Sequence, residues 1–295
     1  MKSKTGAPLL SDISMVICTR NCLPLVQANL PAIQKTLAGC ELLIIDGDST
    51  DGTTQFVAQY ADKVLSDGRK GLAYARQLGA MSATRRFVLF AGTDNRISAG
   101  TAAAMAAALS ADPMLAGVSV QTRVIDAQNY WEKTTERIFN HLINRVGDTD
   151  VIGTPSMYQR EALLRVKFNE AIRACDDTDL GYRLKKEGYR LAIIDEYAEE
   201  KNALDFAEFW DRWMGYGRSD AEFYAAHHAS WGFWRHLKSF THPLRKYGLR
   251  GAWLFLTHGD AAYIPALWIA TAARYRGWIR SARRGYFGRF TDNIS

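Results

Sequence analysis

Cysteine is scarce and unpaired in this chain. Cys18, Cys22, Cys40 and Cys175 include no CxxC spacing, which argues against a structural zinc site or a disulfide framework and predicts reduced thiols. A hydrophobic N-terminal stretch is also missing, because MKSKTGAPLLSD is polar, so no secretion signal is read and a cytoplasmic location is expected. No apolar run reaches the roughly 20 residues of a bilayer-spanning helix. The nearest candidate, Leu249 to Ala273, is broken by Asp260 and Pro265. Internal repeats are absent, and an alanine-rich stretch at Ala99 to Leu109 is the one biased segment. Acid is nearly lacking at the C-terminal end. From Trp231 onward eleven Lys or Arg stand against Asp260 and Asp292, so this part carries +9 and residues 1–230 carry −3. Such a split predicts that the tail meets an anionic partner, either lipid headgroups or nucleic acid.

What is present is an alternation of strand and helix patterns. The run ISMVIC at Ile13 is β-branched and apolar, and Leu25, Ala28, Ile33 and Leu37 follow at helical spacing. ELLIID, DKVLSD and RFVLF read as further strands, separated by helical patterns at Gln55 to Tyr60 and in GLAYARQLGAMSATR. Such alternation predicts a mostly parallel central sheet flanked by helices, with ligands at the carboxyl ends of its strands. An aromatic, polar helix (NYWEKTTERIFNHLINRV), a glycine-proline loop (VIGTPS) and a late strand (YRLAIID) follow. From Phe206 the chain turns helical, aromatic and then basic. Two domains are therefore expected, residues 1–200 and a helical C-terminal extension over residues 201–295.

Carboxylates stand at three strand ends or helix starts: Asp46 with Asp48, Asp94, and Asp177 with Asp176 and Asp179. Carboxylates at such places suit either holding a hard divalent cation against phosphates or taking a proton from a hydroxyl. Asp also caps helices, and Asp51 and Thr50 before GTTQFVAQY read as such a cap, as does Asp179. A calcium loop is excluded at Asp46, because the glycine comes one place late and the twelfth position is Val57 instead of Glu.

The segments SMVICTRN, IIDGDSTDGT, KGLAYARQLGA with RFVLFAGTDN, and CDDTDLGYRLKKEGYRLAII resemble, in that order, the signatures of family 2 glycosyltransferases of GT-A fold, over about residues 13–217. The resemblance implies an inverting glycosyltransferase that uses a nucleotide-sugar donor, expected to be a UDP-sugar, in polysaccharide, glycolipid or cell-envelope glycan synthesis. It puts Thr19, Arg20, Asp46 and Asp48 around the nucleoside, and Lys70 and Arg76 near the phosphates. Thr93 and Asp94 fall in the D-x-D-like motif, where Asp94 would hold Mg²⁺ or Mn²⁺. The first Asp of that motif is replaced by Gly92, and the His many relatives carry after the last strand is not evident in DEYAEEKN. Asp177 matches the general base, with Asp176 assisting it. Gly153, Thr154 and Pro155 match the acceptor-side loop. FWDRW echoes the Q-x-x-R-W motif without its Gln, implying Arg212 at the diphosphate and Trp213 against a sugar.

The basic-aromatic run ARYRGWIRSARRGYFGRF fits a segment lying among headgroups. Peripheral attachment to the cytoplasmic face of the inner or plasma membrane is therefore expected, beside a glycan or lipid-linked acceptor. Nucleic acid is not expected as a partner, since no binding module is recognisable. Two alternatives stay open: a degenerate GT-A domain acting as a membrane scaffold, and a sugar nucleotidyltransferase. The second needs a glycine-rich loop after the first strand, and CTRNCLPL has no glycine.

Overall fold

A computed structural model describes residues 9–200 and 204–283. They form two compact units, residues 9–123 with 146–200, and residues 124–145 with 204–283. The segment 124–145, which the sequence reading leaves inside residues 1–200, thus packs with the C-terminal helices.

The first unit carries a nine-stranded sheet. Its strands are β1 (Ile13–Thr19), β2 (Glu41–Asp46), β3 (Lys63–Ser66), β4 (Phe87–Ala91), β5 (Asn95–Arg96), β6 (Leu115–Val124), β7 (Gly147–Thr149), β8 (Ser156–Gln159) and β9 (Arg190–Glu200). The order is β3-β2-β1-β4-β8-β6-β9-β5, with β7 also paired to β9. β3, β2, β1 and β4 run parallel, whereas β8 is antiparallel to β4 and β6, and β5 and β7 are antiparallel to β9. The parallel half brings the carboxyl ends of β1, β2 and β4 to one edge. Antiparallel β8 starts at that edge, since Ser156 pairs with Phe90.

Six α-helices among the described residues belong to this unit: α1 (Leu23–Thr36), α2 (Thr53–Val57), α3 (Leu72–Ser82), α4 (Ala99–Ala111), α6 (Arg160–Val166) and α7 (Asp176–Lys186), while α5 (Tyr130–Ile138) falls in the second unit. Alternation along β1 divides the core in two. Ile13, Met15 and Ile17 pack with Val26 and Leu30 of α1 and Met105 of α4, while Val16 faces Ala75 and Ala80 of α3 and Leu180 of α7. Both faces of β1 are covered, which is why ISMVIC is apolar on both faces apart from Ser14, whose hydroxyl donates to Glu41. Gly79 of α3 is where helix and strand come closest, because a Cβ there would stand 2.5 Å from Val16 Cγ1.

The second unit is helical: α5 (Tyr130–Ile138), α8 (Phe206–His227), α9 (Phe233–Phe240), α10 (Ala252–Thr257) and α11 (Ile264–Arg283), with a π-helical stretch at Leu244–Gly251. Its core gathers Ile138, Phe209, Trp213, Tyr247, Phe255 and Leu267. α8 and α11 meet at glycines. A Cβ on Gly217 would lie 1.9 Å from the carbonyl oxygen of Arg274, and one on Gly277 would lie 2.1 Å from that of Met214. Arg274 is buried, donating to both oxygens of Asp220 at 2.7 and 2.8 Å and to the Tyr247 hydroxyl at 2.9 Å. Arg274 therefore does not lie among headgroups, which is where the sequence places the segment ARYRGWIRSARRGYFGRF that contains it. The rest of that segment beyond Arg283 lies outside the described residues, as does Lys201. No helix among the described residues is long and apolar enough to cross a membrane.

Candidate active site

The site is built on the carboxyl edge of β2, β1 and β4 in the first unit. Asp46 ends β2 and is buried, and its carboxylate is filled from within the fold. Oδ1 accepts from Thr19 Oγ1 (2.8 Å) and Ser49 Oγ (2.7 Å), and Oδ2 accepts from the Ser49 amide and Thr54 Oγ1, both at 2.8 Å. Burial alone would raise its pKa, but these donors outweigh it and hold the carboxyl below its ordinary range. Asp46 is thus first the organiser of the β2–α2 turn. Contact with a nucleoside has to come from the surface this turn builds or displace one of its bonds.

Arg20 is exposed on that surface, its stem lying over Gly47, where a Cβ would sit 3.1 Å from Arg20 Cδ. Asp48 adopts a left-handed φ of 53° and accepts from Ser66 Oγ at 2.5 Å. Asp51 departs from its expected role. The cap position of α2 is Gly52, and the Asp51 carboxylate instead joins two helix starts by accepting from the amides of Thr53 and Leu23, each at 3.0 Å.

At the end of β4, Gly92, Thr93 and Asp94 are each half-buried. A Cβ on Gly92 would fall 2.4 Å from Asp94 Oδ1, so in this arrangement the Asp94 carboxylate occupies the space that a first Asp of the motif would need. Among the described residues no group of three or more His, Cys, Asp or Glu side chains gathers to hold a metal. A single carboxylate still fits a cation that arrives with phosphate oxygens, since Mg²⁺ commonly takes one or two carboxylates and keeps several waters.

The densest chemistry lies where α3 meets α7. Arg76, expected near the phosphates, is half-buried and donates from Nη1 to Asp176 Oδ2 and from Nη2 to Thr154 Oγ1 (3.0 Å). Asp177 follows Asp176, with Oδ1 accepting from the Thr178 amide (2.6 Å) and hydroxyl (3.2 Å). Its Oδ2 is turned to the Gly153 loop, where a Cβ would lie 3.9 Å away. Burial, then the adjacent Asp176, raise the Asp177 pKa, while Arg76 and the Thr178 donors pull it down without prevailing. Arg76 itself stays charged, because its two aspartates outweigh burial.

The loop holding Thr154 is pinned from behind. Ser119 Oγ donates to the carbonyls of Pro155 (2.6 Å) and Gly153 (3.3 Å), Pro155 is buried, and the Thr154–Pro155 peptide is cis. Lys70 is exposed over the Tyr74 ring at 4.2 Å, and its carbonyl accepts from Arg173 (3.0 Å). Asp179 is not a cap. It lies inside α7, whose cap position is Cys175, and pairs with Arg183 at 2.7 Å. Trp213 is fully enclosed in the second unit against Phe209, Tyr216 and Tyr247, so its ring faces are not open to a sugar. Arg212, beside it on α8, is half-buried.

Sequence reasoning missed three neighbours. Cys18, a free thiol like the other three cysteines, lies close enough to Arg76, Asp176 and Asp67 to feel their charges, and burial pushes it up to about 12. Tyr158 stands beside Asp177 and is likewise raised, by burial first. Asp67 is buried just past β3. Of these only Asp67 carried a signal, because VLSD ends on a carboxylate as LIID does.

Residues 14–167 match the family model described as glycosyl transferase family 2, and the chain belongs to that family. It is a glycosyltransferase. Over 277 residues it is 25% identical to the succinoglycan biosynthesis protein ExoA of Rhizobium meliloti (strain 1021), covering 86% of this chain and 80% of that protein. Its fold is similar to the mannosyltransferase PcManGT from Pyrobaculum calidifontis in complex with GDP-Man and Mn²⁺, with a TM-score of 0.59, 18% identity, and 95% and 79% of the two chains covered. It is also similar to glucosyl-3-phosphoglycerate synthase from Mycobacterium tuberculosis in complex with Mn²⁺, UDP and glucosyl-3-phosphoglycerate. There the TM-score is 0.51 and the identity 14%, over 72% of this chain and 78% of that one. Both likenesses extend to the GT-A fold with its mixed sheet.

Proposed function

We propose that the chain moves a sugar from a nucleotide-sugar donor, a UDP-sugar in the first instance, to an acceptor hydroxyl with inversion at the anomeric carbon, in polysaccharide or envelope glycan assembly. The name of the R. meliloti relative supports a polysaccharide product, and the GDP-Man and the UDP of the two complexes above support a nucleotide-sugar reaction.

The observation that carries the reading is the state of Asp177. One oxygen is held by Thr178, the other is turned to the Gly153–Pro155 loop, and its proton affinity is raised. A carboxylate poised in this way takes the proton of an acceptor hydroxyl as that oxygen bonds to the anomeric carbon. The bond from that carbon to the donor phosphate breaks, and the nucleoside diphosphate leaves with the electron pair. Asp176 and Arg76 keep Asp177 in place. Thr19, Arg20 and the Asp46–Asp48 turn form the nucleoside end, and Lys70 faces the phosphates. Asp94 would hold Mn²⁺ or Mg²⁺, whose chemistry is to neutralise charge on the leaving diphosphate. The acceptor is a glycan or lipid-linked glycan at the cytoplasmic leaflet, to which the +9 C-terminal part attaches peripherally.

A thermal-shift panel of nucleotides and nucleotide sugars, with and without Mn²⁺, tests the donor assignment, because a ligand of the native state raises the midpoint. Silence across the panel sinks it. Asp177→Asn is expected to abolish transfer and keep the donor-induced shift. Loss of both together removes Asp177 from the role of base.

A further inference from the structure

We infer that α9 is the element by which the second unit docks onto an anionic bilayer. The inference rests on the peripheral attachment proposed above, and moves the contact from the C-terminal tail to a defined helix. None of the eight residues of α9 is buried. Phe233, Trp234, Leu237 and Phe240 are 72%, 76%, 43% and 55% exposed. Phe233, Leu237 and Phe240 recur at i, i+4 and i+7, so they share one side of the helix, with Trp234 next to them. Lys238, exposed, flanks this side beyond Trp234, and Arg235, exposed and 4.7 Å over the Trp231 ring, stands next round the helix. Single exposed apolar residues are ordinary, but four on two turns mark an interaction surface.

The helix is nevertheless held to its unit. His236 Nδ1 lies 2.9 Å from the Tyr224 hydroxyl, and the Phe240 ring stands 5.9 Å from those of Tyr275 and Trp278. Phe233, Trp234 and Leu237 are therefore presented from a fixed base, with Phe240 anchoring the end of the helix.

Charge selects the occupant. Residues 223–259 contain Arg235, Lys238, Arg245, Lys246 and Arg250 and no Asp or Glu. A second copy meeting this face about a two-fold axis would set cations against cations. Protein interfaces also deplete Lys from their centres. Trp and Phe alternating with Arg and Lys instead match a headgroup boundary, where rings enter the acyl edge and cations meet lipid phosphates. Leu249, Trp253 and Leu256, 57%, 62% and 61% exposed, give the same unit a second apolar stripe at i, i+4 and i+7.

Flotation of the full chain with vesicles of phosphatidylcholine, with and without one third phosphatidylglycerol, tests this. Wild type is expected to float with the anionic vesicles. Phe233→Ser with Trp234→Ser should reduce partitioning at least tenfold. Arg235→Gln with Lys238→Gln should reduce it by about 25-fold on anionic vesicles only, since each cation near such a surface contributes about fivefold. All four positions are exposed, and an unchanged melting temperature confirms folding. Wild-type flotation of the Phe233/Trp234 variant, with loss on removing residues 284–295, overturns the role of α9 and leaves peripheral attachment standing. Failure of wild type to bind either vesicle overturns both. Self-association abolished by the Phe233/Trp234 change, without flotation, replaces the bilayer by a second copy and overturns the inference.

Discussion

Arg76 on α3 and Asp176 at the start of α7, one hundred positions apart, form a part-buried ion pair whose other arm reaches Thr154. One guanidinium thus ties the helix after β3, the residue preceding the proposed base and the acceptor-side loop together. Arg76→Met is expected to lower transfer by about 10²-fold or more, the usual worth of a positioned acid or base. Arg76 also pulls down the Asp177 pKa, so its loss moves the acid limb of the pH–rate profile to higher pH. Arg76→Lys keeps a charge without the two-armed geometry and should fall between. A profile that keeps its acid limb in Arg76→Met removes Arg76 from the support of the base.

Four donors converge on Asp46. Asp46→Asn turns an amide NH₂ against some of them and leaves buried donors without acceptors, which should cost about 2–3 kcal/mol of stability. Donor affinity should drop with it, because the turn carrying Asp48 loosens. Urea denaturation alongside donor titration checks both; a fully stable variant with weakened donor binding alone would make Asp46 a direct ligand.

Gly217 and Gly277 let α8 and α11 touch backbone to backbone. Gly217→Ala should destabilise the second unit by about 2–4 kcal/mol, since the new methyl meets a carbonyl and the helices must part. All eight tryptophans, from Trp131 to Trp278, belong to this unit, so tryptophan fluorescence follows its unfolding selectively. Unchanged unfolding would mean that the helices shift at no cost.

His242, in the same unit, is held neutral: burial, opposed by Asp220 and reinforced by Arg274, Lys246 and Arg245, lowers it from 6.5 to about 4. Below pH 6.5 the unfolded chain binds a proton there that the folded chain refuses. Stability therefore falls as pH drops from 6.5 toward 4, by on the order of 2–3 kcal/mol. His242→Gln should flatten that part of the fluorescence-detected stability curve.

The strand-end carboxylates were legible because an apolar run ending on Asp obeys local rules. Asp46 and Asp94 needed only their own neighbours in sequence to be noticed. The pairing of Arg76 with Asp176 was not, since nothing within one helix of either residue announces a partner so far along the chain. Trp213 misled for a related reason. Aromatic helices are amphipathic in outline, and which face turns inward is decided by partners such as Tyr247 and Leu267. The same cause hid the membership of residues 124–145, whose pattern reads as one more helix of an α/β series until its packing partners are known.

That membership gives the chain an order of assembly. Residues 124–145 leave the ribosome before residues 146–200, which complete the sheet, and before α8 and α11, which complete their own core. The nascent chain must complete its first unit while a helix of the second cannot yet bury its apolar side, so Trp131 and Ile138 await α8 and α11, whose contact is complete only once Gly277 has been made.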